Sequence, residues 1–160
     1  MLNVRYATRD DVETLIRLRR DFNDTWHPHT EADQADFAAR FRRFLDTRWD
    51  SGEFVGILGF VGTDVASGAF LLIHDYPANC VIRHGRLGTL INVYTYPAFR
   101  RRGYGQQIVA AAVERGRELG LDAIDLNATD MGRGVYQQVG FALRDEAAMR
   151  LDLASTAAMA

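Results

Sequence analysis

The stretch that most constrains this chain runs from Leu87 to Ala128. Its first part, LGTLINVYT (87–95), is the most β-rich run in the sequence and reads as a strand. After PAFRRRGYG, the residues Ile108, Val109, Ala112, Val113, Gly116 and Leu119 recur at helical spacing, and Gly120 is well suited to end that helix. Ile124, Leu126 and Ala128 then alternate with Asp125, Asn127 and Thr129, the pattern of a second strand. A strand, a helix and a strand in succession form a crossover, which sets the two strands parallel and side by side.

The sequence around that unit follows a different pattern. LNVRYA (2–7) alternates like a strand, and Thr8 with Asp11 three residues on is a variant of the helix capping box. Val12, Leu15, Ile16, Arg19 and Phe22 follow at helical spacing, so a first helix is predicted to about Asn23. Pro28 breaks the pattern, and a second helix is predicted over 31–47, with Ala38, Phe41, Phe44 and Leu45 facing inward. Residues 53–60 and 65–73 form a hairpin around VGTD, and 74–85 a loop. Beyond the crossover, MGRGVYQQVG predicts a short helix ending at Gly140, and FALRDE with AAMRLDL a closing hairpin. The expected order is β-α-α-β-β-β-α-β-α-β-β. It describes one mixed α/β domain over 1–153, with a central, mostly antiparallel sheet, and a frayed tail at 154–160.

Composition excludes several classes. With 160 residues and a net charge of −2, the chain is the size of one domain with a real core, and its basic residues are balanced. Neither nucleic acid nor an anionic membrane is an expected partner. No apolar run approaches the ~20 residues of a membrane span, and MLNVRYATRDD lacks the apolar core of a signal peptide. All 19 basic residues are arginine, so no lysine nucleophile or Schiff base is available. The single cysteine, Cys80, allows no disulfide within the chain and no cysteine metal cluster. That usage fits a reducing cytoplasm, and the lone thiol reads as a packed side chain rather than a nucleophile.

The turn between strand and helix carries the chemistry. The first backbone N–H groups of a helix have no partners within it, and the helix dipole makes that end partly positive. Glycines let an anion approach the backbone. Arg100, Arg101, Arg102, Gly103 and Gly105 supply these parts in order, so the turn reads as a phosphate cradle. A dinucleotide fingerprint fits poorly, because its third glycine position is Ile108 and the preceding chain is a meander. A Walker loop is excluded by the absence of Gly-Lys-Ser/Thr.

Arg100-x-x-Gly103-x-Gly105 matches the Arg/Gln-x-x-Gly-x-Gly/Ala signature of the GCN5-related N-acetyltransferases. INVYTYPAFRRRGYG resembles that family's fourth strand and loop, and LNATDMGRGVYQQVGF (126–141) resembles its later segment around LYEKLGF. The element order is also the family's. The resemblance is clear over 87–141 and looser over the whole chain. It implies that the loop amides, from Arg101 and Arg102 through Gly103, Tyr104 and Gly105 to Gln106, bind the pyrophosphate of acetyl-CoA. It implies that the fourth strand carries a bulge and splays from the parallel fifth. Pantetheine would then lie along the backbone of Val93, Tyr94 and Thr95. The family often has an asparagine seven residues before the later tyrosine. Thr129 stands there, with Asn127 two residues earlier, and both are candidates to touch pantetheine.

The resemblance further implies transfer of an acetyl group from acetyl-CoA to a primary amine of a small molecule or protein, by direct attack in a ternary complex, without a metal. Tyr136 is the candidate general acid. Its phenol, with a pKa of ~10 beside a thiol of ~8.5, retains its proton at neutral pH for the departing sulfur. LGTLINVYT holds no acid to serve as base. Asn92 is a candidate to position a water, and His74, Asp75, His27 and His29 are alternatives. His27-x-His29 has no evident third ligand, so it does not make a metal site. The acceptor side is expected in NDTWHPHTEADQAD, with Trp26 and His27 at its centre and Asp24, Glu31, Asp33 and Asp36 suiting a cationic amine. Dimers are common in the family, which implies a homodimer here. The competing reading is a non-catalytic acyl-CoA sensor of the same fold.

Overall fold

The computed structural model describes residues 1–25, 30–145, 148–151 and 153. Five strands form one sheet in chain order: β1 (Asn3–Tyr6), β2 (Phe54–Val61), β3 (Asp64–Asp75), β4 (Arg86–Thr95) and β5 (Ala123–Asp125). The first three junctions are antiparallel, and β4 pairs β5 in parallel, as the crossover required. Helices α1 (Val12–Asp24) and α2 (Glu31–Asp50) cover one face. Helices α3 (Tyr104–Glu118) and α4 (Arg133–Val139) cover the other.

The two faces follow from strand alternation. On β3, Phe70 points to the α1–α2 side, where it packs with Leu15, Leu18, Leu45, Phe54 and Leu58. Its neighbours Ala69 and Leu71 point the other way, against Ile108, Val109 and Ala112 of α3. The apolar stripe that predicted α3 is therefore the face it buries. Gly116 belongs to that stripe because a Cβ there would lie 2.7 Å from Ile124 Cδ1. The capping expectation for α1 also holds: the Thr8 amide donates to Asp11 Oδ2 at 2.8 Å.

Two features of the sheet open the site. Ile91 pairs with Phe70 and Tyr94 with Gly68, so Asn92 and Val93 together face Ala69: a β-bulge. Asn92 absorbs the bend at φ +55°, a left-handed conformation that asparagine tolerates better than most residues. The ladder from β4 to β5 spans only Leu87–Thr89 against Ala123–Asp125. Beyond Thr89 the strands separate, and β5 ends at Asp125 rather than continuing to Ala128, because nothing remains for it to pair with.

The closing hairpin is a correction. Among the described residues after Phe141 there is no strand, and Leu143, Leu151 and Leu153 are exposed. A three-residue β5 offers too short an edge to template two further strands. Residues 154–160 lie outside the described residues. Cys80 is exposed in the loop after β3 rather than packed. No helix among the described residues is long and apolar enough to cross a membrane.

Candidate functional site

The loop from β4 to α3 bends through two left-handed residues, Arg101 at φ +59° and Gly103 at φ +73°. Space is open around the Gly103 Cα, with no atom within 4 Å of where a Cβ would stand. The first hydrogen bond of α3 runs from the Gln107 amide to the Gly103 carbonyl. Among the described residues, the amides of Arg101, Arg102, Gly103, Tyr104, Gly105 and Gln106 meet no acceptor. Six adjacent open donors at the positive end of a fifteen-residue helix are an arrangement suited to an anion.

The end of β4 is pinned beside this loop. Ser67 is fully buried and donates to the Tyr94 carbonyl at 2.8 Å, while its Oγ also shares a 2.8 Å hydrogen bond with Thr95 Oγ1. Arg100 Nε donates to the Thr95 carbonyl at 3.0 Å, and its guanidinium lies 5.8 Å from the centre of the Tyr94 ring. Arg100 thus ties the loop back to the strand, while Arg101 and Arg102 are exposed. A Cβ at Gly105 would stand 3.5 Å from Thr95 Oγ1 and 4.0 Å from Val135 Cγ1. Strand end, helix start and α4 therefore meet at one point.

Tyr136 follows Val135 on α4. Its ring packs edge-on to Phe141 at 6.1 Å, and burial pushes its phenol up. Its hydroxyl has no partner among the described residues and is not sealed from solvent. Thr129 Oγ1 accepts the Gly132 amide at 3.1 Å, so it caps the turn into α4. Asn127 is exposed and makes no hydrogen bond among the described residues.

The α1 side of β4 is built differently. Asn92 is 3% exposed. Its Nδ2 donates to the Leu18 carbonyl at 3.5 Å, and its Oδ1 accepts Arg19 Nη1 at 3.1 Å. Tyr96 donates to Asp21 Oδ2 at 2.9 Å, and its phenol is pushed up to about 12 by burial and then by that carboxylate. Phe22, Tyr94 and Tyr96 form an edge-to-face aromatic row, with centroid spacings of 6.3 and 5.1 Å. A cavity of about 170 Å³ between α1 and α2 is lined by Arg20, Asn23, Asp24, Asp33, Gln34, Phe37 and Arg40. A second, of about 500 Å³, lies at the far end of α3 beside β5, away from the loop.

The structure thus brings Val93, Tyr94, Thr95, the 100–106 loop and α4 together. It places Asn92 on the α1 side, bound to protein atoms. His74 and Asp75 pair with Leu87 and Arg86, at the other end of β4 and about five residues, or roughly 17 Å, from the bulge. His84 is held 2.8 Å from Asp122. Trp26, His27 and His29 lie outside the described residues. Sequence reasoning missed Ser67, Asp21, Tyr96 and Arg19. The available signal for Arg19 was an arginine standing inside the apolar stripe of α1.

The acetyltransferase (GNAT) family model matches residues 12–141. The chain belongs to that family. It is 30% identical over 105 residues to the glucosamine 6-phosphate N-acetyltransferase 1 of Oryza sativa subsp. japonica, covering 66% of this chain and 61% of that protein. Among solved structures it resembles a predicted acetyltransferase of Clostridium acetobutylicum crystallised with acetyl-CoA, at a TM-score of 0.80 and 24% identity, over 97% of this chain and 98% of that one. It also resembles a GCN5-related N-acetyltransferase of Ralstonia eutropha JMP134, at 0.76 and 25%, over 94% and 99%.

Proposed function

We propose that this chain is an acetyl-CoA-dependent N-acetyltransferase that acts on a primary amine. The observation that carries the reading is the row of six partnerless amides from Arg101 to Gln106, opening beside a β4 edge that β5 leaves uncovered. The amides and the αL turn fit a pyrophosphate, and the bare strand edge fits the amide groups of pantetheine. When bound, acetyl-CoA supplies the thioester carbonyl that an amine attacks.

The chain's own groups then have distinct tasks. Free β4 amides near the bulge polarise the thioester oxygen as negative charge develops there. Tyr136 O–H faces the departing sulfur and hands over its proton as the sulfur–carbon bond breaks. Burial keeps that phenol protonated at neutral pH. The attacking nitrogen, once bonded to the acetyl carbon, releases its proton to solvent, since no carboxylate stands on β4. Asn127 or Thr129 contacts pantetheine from the β5 side.

The test is free-thiol release from acetyl-CoA with a panel of amines, alongside CoA binding by calorimetry. CoA binding with turnover is expected. Tight CoA binding without turnover on any amine favours the non-catalytic sensor, and absence of CoA binding refutes both readings.

A further inference from the structure

Arg19 carries a charge that no carboxylate among the described residues offsets. Arg5, Arg20 and Arg115 each hold a carboxylate within hydrogen-bond reach. Arg19 is half-buried between α1 and β4, and among the described residues no carboxylate lies within 4 Å of it. Its sole hydrogen bond is Nη1 to the Asn92 amide oxygen at 3.1 Å, and its guanidinium lies 6.0 Å from the centre of the Phe22 ring. The carboxylate two residues on does not help. Asp21 spends Oδ1 on Arg20 and Oδ2 on Tyr96. Burial pushes the Arg19 guanidinium below its ordinary value, with no counter-charge to offset it. Its Nε and Nη2 meet no protein acceptor, yet they are not sealed from solvent.

Its location gives this a meaning. Asn92 is the bulge residue at which β4 turns away from β5, so Arg19 is held at the mouth of the splay, on the face opposite α3. A guanidinium kept without a counter-charge at that position is available to a ligand. Two free, roughly parallel N–H donors on a planar fork match two oxygens of a carboxylate or phosphate. We infer that Arg19 binds an anionic oxygen group carried by the acceptor, so that the acceptor is an amine that also bears a carboxylate or a phosphate. Asn92 sets the guanidinium so that its two free donors face outward. This rests on reading the splay as the acetyl-transfer site.

The test pairs acceptors that differ only in the acid. One arm compares α-amino acids with their amides, the other 6-phosphorylated amino sugars with the unphosphorylated sugars. The wild-type protein prefers the acidic member of at least one arm in kcat/KM by about ten- to a hundred-fold, and the arm that shows it names the anion. Arg19→Gln collapses that ratio toward one. Asn92→Asp does the same by supplying the missing counter-charge internally, with a melting curve to check that the fold survives the loss of the Asn92 donor to the Leu18 carbonyl. In parallel, the preferred acidic compound is titrated calorimetrically into the CoA-bound protein. Without turnover, both acidic series and their neutral twins are titrated instead. Heat of binding for an acidic compound in wild type, lost in Arg19→Gln, upholds the inference even if no amine is acetylated, an outcome that sinks the transferase reading alone. Turnover without an acid preference in either arm overturns the inference and leaves the transferase reading standing. An acid preference that survives in both variants overturns it too.

Discussion

The two sides of β4 are built from different materials. Toward α3, the cradle uses backbone: six amides, two left-handed residues and a helix end. Toward α1, the wall uses side chains: Asn92, Arg19, Tyr96 and Asp21. Backbone donors read the same from almost any sequence with glycine in the right places, so that side suits a ligand common to a whole family. Side chains can be exchanged without moving the backbone, so on our reading of the splay the α1 side is the one suited to telling one acceptor from another. The difference also predicts how each side breaks. The cradle fails through backbone geometry, and the wall through charge and pH.

The largest effect is expected where the two sides meet at the reacting bond. Tyr136→Phe lowers kcat by about 10²–10⁴ with CoA affinity nearly unchanged. An unaltered kcat in steady-state assays removes Tyr136 as the acid. Next, Gly103→Val puts a β-branched residue at φ +73°, where the conformation alone costs about 1–2 kcal/mol. The loop shifts off the phosphate path, and calorimetry gives a CoA dissociation constant raised about tenfold or more. Because no atom crowds that Cβ, the fold survives, and a melting curve checks it.

The α1 side responds to pH. Asp11, buried at the start of α1, accepts both Arg5 nitrogens at 2.7 Å and the Thr8 amide. The Arg5 bond holds its carboxyl below the usual range against the opposing effect of burial. Its contribution is therefore full above the ordinary carboxylate value near 4 and fades as pH falls through the lower folded value. Asp11→Asn costs about 1–3 kcal/mol at pH 7. The gap in melting temperature between wild type and variant narrows in acid, and a gap constant with pH contradicts the account. Smallest is Tyr96→Phe, at about 1 kcal/mol. The Tyr96 phenol stays protonated to about pH 12 in the folded protein. Its advantage is complete below pH ~10, where the unfolded phenol titrates. It is lost as pH climbs toward 12, so wild type and variant converge in alkali.

Much of the cradle was legible because it depends on local rules. The stripe of Ile108, Val109 and Ala112 fixes α3, and the position of Gly103 and Gly105 before it fixes an anion-ready helix start. The parallel pairing of β4 and β5 follows from the single crossover between them. The end of β5 was not legible, because Leu126 and Ala128 carry the strand pattern but lack a partner once β4 has bent away. Among the described residues the predicted closing strands are absent for the same reason: an alternating pattern states what a segment is able to do, and an available edge decides whether it does so.

Arg19 shows the limit from the other direction. Its spacing put it on the buried face of α1, and nothing local distinguishes an arginine snorkelling past the core from one held at a site. Only the packing of α1 across the β4 bulge gives it Asn92 as partner and no carboxylate. The sequence by itself determined the mixed sheet, the crossover and the glycine-bearing start of α3 with its row of open amides, since each rests on contacts within a few residues or on chain connectivity. The tertiary structure alone decided where β4 leaves β5, which hydroxyls are pinned and which guanidinium is left unneutralised. These depend on side chains more than seventy residues apart in the chain, such as Arg19 and Asn92, which meet only when the helix is laid on the sheet.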